Sequence, residues 1–222
     1  MTYILNIETA TRNCSVSLAL DGKTIAVKEI AEAGFSHAEK LHVFFEEILK
    51  ENNLIFKNLS AIAVSQGPGS YTGLRIGVSA AKGLCFALNI PLIAIDTLQT
   101  LARKIIIDKG VIIPMIDARR MECYTAIFDA NYNKIRDVKA EIIDENSFSE
   151  IPEIIHFVGD GAMKCNPILT INKFKYHPEI QFPSANQMSE LSFEKYKKSD
   201  FVNVAYFEPF YLKDFMMTVS SK

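Results

Sequence analysis

Cysteine is scarce in this chain of 222 residues, and the cysteines that occur lie far apart. They are Cys14, Cys85, Cys123 and Cys165, with no C-x-x-C pair among them. Structural zinc sites and disulfide-rich domains show paired or regularly spaced cysteines. The spacing therefore favours buried free thiols in a reducing compartment over disulfides or a zinc site.

Excess positive charge is also missing. The formal net charge is -2, and the isoelectric point is about 6.1. A protein that binds nucleic acid by itself needs a clustered basic face to neutralise phosphates. The short basic groups at 103–104 and 195–198 are typical of solvated helix faces. We therefore expect any contact with nucleic acid to be indirect.

Long apolar runs are absent, and none approaches the length that spans a bilayer. The first ten residues, MTYILNIETA, lack the basic start and the cleavage site of a secretory leader. We expect a cytoplasmic protein without membrane contact. Hydrophobic residues make up 49% of the chain and charged residues 23%, which is the composition of a folded protein with one large domain or two smaller ones.

Motifs of common hydrolases and nucleotide-binding loops are missing too. Ser70 has no G-x-S-x-G pattern around it and is better interpreted as a helix N-cap. The glycine-rich stretch QGPGSYTGLRIG, residues 66–77, is not followed by the Gly-Lys-Ser/Thr of a P-loop. Its glycines at 73 and 77 lie inside a predicted helix, where each costs up to about 1 kcal/mol relative to alanine. We interpret the stretch as an element for close packing.

What the chain does contain is an internal repeat. Aligning residue 8 with residue 117, without gaps, places NIETATRNCSVSLAL over MIDARRMECYTAIFD. The matched pairs include Glu8 with Asp117 and Cys14 with Cys123. In each copy an apolar run ends in an acidic residue, a short polar turn follows, and a second β-prone run begins. Each half is therefore predicted to open as a three-stranded meander.

The first half continues with alternating helices and strands. Asp21-Gly22 predicts a tight hairpin, and Ser36 to Glu39 forms a capping box before a helix with one apolar face. A second helix is predicted over 70–88, and Asp96 is expected to cap a third. The order is βββαβαβα.

The second half shows fewer helical patterns, although Ser184 to Gln187 again has the form of a capping box. The predicted fold class is α/β, with two stacked domains that each carry a mixed sheet, at 1–104 and 105–222. The boundary falls near 104–110, and a cleft separates the two meanders. The end of the chain either returns to the first domain or docks on a partner.

A duplicated unit of this kind resembles the superfamily of actin, sugar kinases and heat-shock chaperone ATPases, which implies two RNase H-like domains. More narrowly, the chain resembles the TsaB (YeaZ) family of tRNA threonylcarbamoyladenosine biosynthesis, and six stretches carry this resemblance: ILNIETAT, SHAEKL, GPGSYTGLRIG, IDTLQTLA, PMIDARR and EPFYLK. The resemblance implies an accessory subunit without catalytic residues of its own. It also implies a heterodimer with the metal-containing transferase TsaD, which the P-loop ATPase TsaE joins.

The superfamily also implies where a nucleotide site would lie. The acidic residues that correspond to the superfamily's are Glu8 and Asp117. The superfamily has a glycine two positions after each acid, but this chain has Ala10 in one half and Arg119 in the other. Gly159 and Gly161 stand where the superfamily contacts adenosine, although a strand-to-helix turn needs glycine in any case. We interpret these positions as a degraded nucleotide site and expect no cofactor. The alternative is a small-molecule kinase or ATPase that uses Glu8 and Asp117 around magnesium.

A metal site is not expected. His37 and His42 are spaced i, i+5 and point roughly 140° apart on a helix, so they cannot easily share an ion. His156 is placed in a strand, and His177 before a proline. A metallopeptidase is therefore a remote alternative.

One side of the second helix carries small residues, which another helix backbone could approach: Gly73, Gly77, Ala80, Ala81 and Leu84. The first helix covers this side, or a partner does. The resemblance favours the partner, and the predicted interface consists of Tyr71, Gly73, Leu74, Gly77, Val78 and Ala81. Tyr71, Leu74 and Val78 are its predicted exposed anchors. A homodimer that uses the same helices is possible for the chain alone.

Overall fold

Two five-stranded mixed sheets organise the computed structural model, which describes residues 1–31 and 37–212. In the first sheet the strand order is β3-β2-β1-β4-β5. The strands are β1 Tyr3–Glu8, β2 Cys14–Leu20, β3 Lys23–Ile30, β4 Leu59–Gly67 and β5 Leu92–Asp96. β1 pairs antiparallel with β2 and parallel with β4, and Leu20 pairs with Lys23 across the predicted two-residue turn.

The second sheet repeats this arrangement, with the order β10-β9-β6-β7-β8. Its strands are β6 Val111–Asp117, β7 Glu122–Asp129, β8 Lys134–Ile142, β9 Ile155–Val158 and β10 Phe174–Tyr176. β6 pairs antiparallel with β7 and parallel with β9, as β1 does with its own neighbours. The predicted duplication and α/β fold class, with two RNase H-like (actin-like) lobes, are therefore confirmed.

The helices are α1 His37–Glu51, α2 Tyr71–Leu88, α3 Thr97–Ala102, α4 Asp160–Cys165 and α5 Met188–Lys197. Ser70 and Asp96 are the N-caps of α2 and α3, as predicted. Ser184 accepts a bond from the amide of Asn186 and caps a short 3-10 turn that precedes α5. The predicted capping box at Ser36 lies outside the described residues.

The second lobe lacks the first helix of the βββαβαβα pattern within the part of the chain that the structure describes. Residues 143–154 form turns between β8 and β9 instead. This segment carries Phe148, Ile151 and Ile154 at a spacing of three, but Pro152 lies among them and disfavours a continuous helix. Phe148 of this segment is buried instead. Its ring packs against Phe157 of β9, with ring centroids 5.6 Å apart.

Each sheet is covered on both faces, and each lobe contributes one helix to the other. α1 and α2 cover one face of the first sheet, while α5, from the second half of the chain, covers the opposite face. Met188 of α5 packs there with Ile4 and Ile93. In the second lobe α3, from the first half, packs against Ile112 and Phe128. The division at residue 104 remains a prediction, because these apolar layers cross it.

A polar seam, formed by hydrogen bonds between residues 13–29 and residues 184–185, joins the two lobes. The Glu29 carboxylate accepts hydrogen bonds from Asn13, Ser15 and Ser184, and Ser17 donates to the carbonyl of Ala185 at 2.7 Å. These hydrogen bonds hold the pKa of Glu29 below its usual value, although partial burial acts in the opposite direction. The seam satisfies polar groups that the contact between lobes would otherwise bury unpaired.

The last described residues return to the first lobe. Val202 bonds to Leu92 of β5, and the Phe210 amide donates to the Gln66 carbonyl at 2.7 Å. Lys82 of α2 donates to the carbonyls of Ala205 and Phe207. Among residues 1–31 and 37–212, no helix is both long and apolar enough to cross a membrane.

Asp96 offers a test of how α3 is held. One carboxylate oxygen accepts from the amides of Leu98 and Gln99, and the other accepts from Lys134 at 2.7 Å. We expect Asp96→Ala to lower the free energy of unfolding by about 1–2 kcal/mol, because the first turn of α3 loses its cap. Urea unfolding followed by circular dichroism measures the change.

The matched variant is Asp96→Asn, which keeps a capping oxygen and removes the charge. It should lose less stability than Asp96→Ala, because asparagine caps about as well as aspartate and the ion pair is partly exposed. Equal losses in the two variants would contradict the capping role.

Candidate functional site

The turn that follows β1 is where this superfamily would approach a phosphate. Glu8 ends the strand, and its Oε1 accepts a hydrogen bond from the Ala10 amide at 2.6 Å. The Ala10 carbonyl accepts from the Ser70 amide at 2.7 Å. Thr9 donates from Oγ1 to the Gly73 carbonyl at 2.8 Å. The polar groups of the turn are therefore bound to its own acid and to the N-terminus of α2.

Glu8 is fully buried, and its Oε2 has no hydrogen-bond partner among the described residues. Burial raises the pKa of Glu8 to about 7, although hydrogen bonds from the Ala10 amide and the Ser65 side chain act in the opposite direction. A carboxylate without solvent contact is poorly placed to bind a hydrated magnesium ion.

The corresponding turn in the second lobe is more open. The Arg119 amide donates to Asp117 Oδ1 at 2.7 Å, which repeats the contact between Ala10 and Glu8. The Asp117 side chain keeps 41% of its exposure and forms an ion pair with Lys164 at 2.5 Å. Asp160 accepts from the Asp117 amide, and its own pKa is raised, chiefly by burial. The Asp117 carboxylate is thus already paired with a lysine of its own chain.

Gly159 and Gly161 are needed for packing. A Cβ on Gly159 would lie 2.1 Å from the Met115 carbonyl oxygen, and one on Gly161 would lie 2.9 Å from Cys123 Sγ. Both glycines therefore let the start of α4 approach β6 and β7 closely. Their presence requires no nucleotide.

The glycines of α2 serve the same purpose, but their neighbour differs from the predicted one. A Cβ on Gly73 would lie 2.1 Å from the Thr9 carbonyl oxygen, and one on Gly77 would lie 2.2 Å from Thr9 Oγ1. The expectation that a helix backbone approaches this side is therefore wrong for the glycines, because the turn after β1 occupies it. α1 packs further along, where Phe45 and Ile48 share a core with Ala81.

The prediction of Leu74 and Val78 as exposed anchors is also wrong. Leu74 is 1% exposed and Val78 is 4% exposed, because both lie in the interior of the first lobe. Gly73, Gly77 and Ala81 are likewise buried by their own chain. Tyr71 is half-buried and remains accessible at the start of α2. Any contact that these six residues make with another protein stays a prediction.

The outward side of α2 carries a different set of residues. The Arg75 guanidinium lies 4.1 Å from the centre of the Tyr71 ring, and the Tyr211 ring packs against Tyr71 at a tilt of 40°, with ring centroids 5.0 Å apart. Near the other end Phe86 is 86% exposed. Sequence reasoning missed Phe86, although it follows Ser79 by two helical turns and so lies on the side of α2 that carries the polar residues Arg75, Ser79 and Lys82.

The cysteines and the two histidines of α1 make ordinary packing and hydrogen-bond contacts. The four cysteines are free and buried, as predicted. His37 Nε2 lies 2.7 Å from the Thr11 carbonyl oxygen, whereas His42 packs edge-on against Phe45. Within residues 1–31 and 37–212, no group of three or more His, Cys, Asp or Glu side chains is arranged to hold a metal ion.

Together, the paired sheets and the acid at the end of each first strand define a two-lobed RNase H-like protein. The family model described as TsaD, tRNA N6-adenosine threonylcarbamoyltransferase, matches residues 31–201. The chain therefore belongs to the family of TsaD and TsaB (YeaZ) proteins.

Proteins similar to this chain include both TsaB proteins and transferases. The tRNA threonylcarbamoyladenosine biosynthesis protein TsaB of Escherichia coli is 29% identical over 221 residues, covering 95% of this chain and 94% of its own. A tRNA N6-adenosine threonylcarbamoyltransferase of Bacillus thuringiensis is 37% identical over 109 residues, which is 42% of this chain and 32% of the transferase. The solved structure of YeaZ from Pseudomonas aeruginosa has a TM-score of 0.81 at 22% identity, covers 96% of this chain and 100% of its own, and shares the fold.

The glycines of α2 can be tested against a matched control. We expect Gly77→Ala to lower the free energy of unfolding by about 1–3 kcal/mol, because the new methyl group overlaps Thr9. Gly83 is also inside α2, but a Cβ there meets nothing within 4 Å. Gly83→Ala should therefore raise stability by up to about 1 kcal/mol. Urea unfolding compares the two, and a stabilising Gly77→Ala would refute the close contact.

Glu8 predicts a pH dependence with a defined sign. Because burial raises its pKa from 4.5 to about 7, the stability that the neutral form provides is complete below pH 4.5 and is lost as the pH rises through 7. Glu8→Gln cannot ionise, so it should be more stable than the wild type at pH 8, by on the order of 3 kcal/mol.

The two proteins should differ little at pH 4.5. Comparing their midpoints of urea unfolding from pH 4.5 to 8.5 separates Glu8 from all other titrating groups. A constant difference across this range would show that Glu8 does not change its ionisation on folding.

Proposed function

We propose that this protein is a non-catalytic subunit of the machinery that forms threonylcarbamoyladenosine next to the anticodon of tRNA. It would bind and activate a TsaD-like transferase in the cytoplasm, and a TsaE-like P-loop ATPase would join the pair. The names of the full-length relatives support the pathway. Contact with tRNA would be made mainly by the partner, consistent with the net charge of -2.

The main support for a non-catalytic role is the turn after β1, whose backbone groups already have hydrogen-bond partners within the chain. Its amide and carbonyl at Ala10 are both occupied, and Glu8 is buried beneath them. A phosphate at this turn would have to displace the N-terminus of α2. In the second lobe Lys164 already neutralises Asp117, which a magnesium ion would need.

The surface that we propose for the transferase is the outward side of α1 and α2. Tyr71 and Phe86 provide aromatic groups at the two ends of α2, and Val43 of α1 is 43% exposed. Aromatic and aliphatic anchors of this kind contribute much of the energy at interfaces. The buried residues Gly73, Leu74, Gly77, Val78 and Ala81 would then shape this surface from beneath. A homodimer of the free chain would use the same side.

The pathway is tested by depleting the protein in its own organism and measuring nucleosides of purified tRNA by mass spectrometry. We expect threonylcarbamoyladenosine to fall and unmodified adenosine to rise at that position. Restoring the wild-type chain should restore the modification, and so should the Asp117→Ala variant, since no bond-making role is assigned to Asp117. A requirement for Asp117 would instead support a kinase or an ATPase.

The interface is tested by titrating this chain into the TsaD-like transferase of the same organism. We expect Phe86→Glu to weaken the complex at least about tenfold, because a buried charge would replace an aromatic anchor. The control is Ile135→Glu, since Ile135 is 60% exposed on β8 in the other lobe. Isothermal titration gives both affinities, and equal effects of the two variants would refute this surface.

A further inference from the structure

Two histidines that lie apart in the sequence meet at the outer edge of the second sheet. His156 is in β9, and His177 directly follows the edge strand β10. His156 Nδ1 lies 3.0 Å from His177 Nε2, and the rings are stacked with centroids 5.3 Å apart. The parallel pairing of β9 with β10 brings these side chains together.

One carboxylate next to the pair would favour a cation between the two rings, and one lysine would oppose it. Glu179 Oε1 lies 3.5 Å from Nδ1 of His177, on the side of the ring that faces away from His156. At metal sites a carboxylate that accepts a hydrogen bond from the outer nitrogen of a histidine orients the ring and makes it a better ligand, and Glu179 would reach this position by moving a few tenths of an ångström closer. The Lys109 backbone interacts with the His156 ring, while Lys175 opposes positive charge there.

The 3.0 Å contact between His156 Nδ1 and His177 Nε2 requires a lone pair on at least one of the two nitrogens, because two N–H donors cannot bond to each other. Neutral imidazole is a good ligand for zinc, nickel and copper ions. With metal–nitrogen distances of about 2.0–2.1 Å, two ligating nitrogens in a tetrahedral site lie about 3.3 Å apart. The rings would need to separate by only a few tenths of an ångström.

We propose that His156 Nδ1 and His177 Nε2 bind one divalent ion of the zinc, nickel and copper class. The ion would replace the proton that the two nitrogens share, and water would complete its coordination, because both rings are partly exposed. This departs from the sequence-based expectation of no metal. The ion would connect the three-residue edge strand β10 to β9, so it would strengthen a pairing of only three residue pairs.

The test is isothermal titration of the untagged full-length chain with copper, nickel and zinc chlorides in turn. We expect saturable binding of one ion per chain by at least one of these metals. His156→Gln and His177→Gln should each abolish it, and Glu179→Gln should weaken it about 10- to 100-fold. His42→Gln is the matched control, because it removes an exposed histidine of α1 and should leave binding unchanged.

Two further measurements test the proposed site even if a histidine variant is unstable. Copper bound to the wild-type chain should show two nitrogen ligands by electron paramagnetic resonance. The metal should raise the melting temperature of the wild type and of His42→Gln, but not that of His177→Gln. The absence of saturable binding, or binding that persists in the variant with both His156 and His177 replaced, would overturn the site.

Discussion

The contact between the turn after β1 and the N-terminus of α2 determines much of the first lobe. Thr9 donates to the Gly73 carbonyl, and the Ser70 amide donates to the Ala10 carbonyl. These bonds require the helix backbone to lie directly on the turn, which only glycine permits at positions 73 and 77. The position of α2 then determines which residues become core, because Val78 and Ala81 share a core with apolar side chains of β1 and β4.

The same contact explains why the two halves of a duplicated chain have different chemistry. Both keep an acid whose carboxylate binds the amide two residues later. In the first half a helix covers the turn, so the acid is buried and resists ionisation. In the second half α4 stands beside the turn, and Lys164 pairs with an acid that still meets solvent. The same local feature is a buried packing element in one lobe and part of an ion pair in the other.

Local patterns in the sequence predicted local structure well. The caps at Ser70 and Asp96, the hairpin at Asp21 and the packing role of the glycines depend on a few neighbouring residues and were correct in kind. The exposure of Leu74 and Val78 was predicted wrongly, because the apolar pattern of a helix does not reveal how much of it the same chain covers. The histidine pair depends on the pairing of two distant strands, which no local pattern contains.

The exchange of helices between the lobes affects how the molecule can move. A hinge that opens the cleft would pull Met188 away from Ile93 on one side and Leu101 away from Phe128 on the other. Both separations expose apolar surface to water at the same time, so a wide hinge motion between the lobes is energetically opposed.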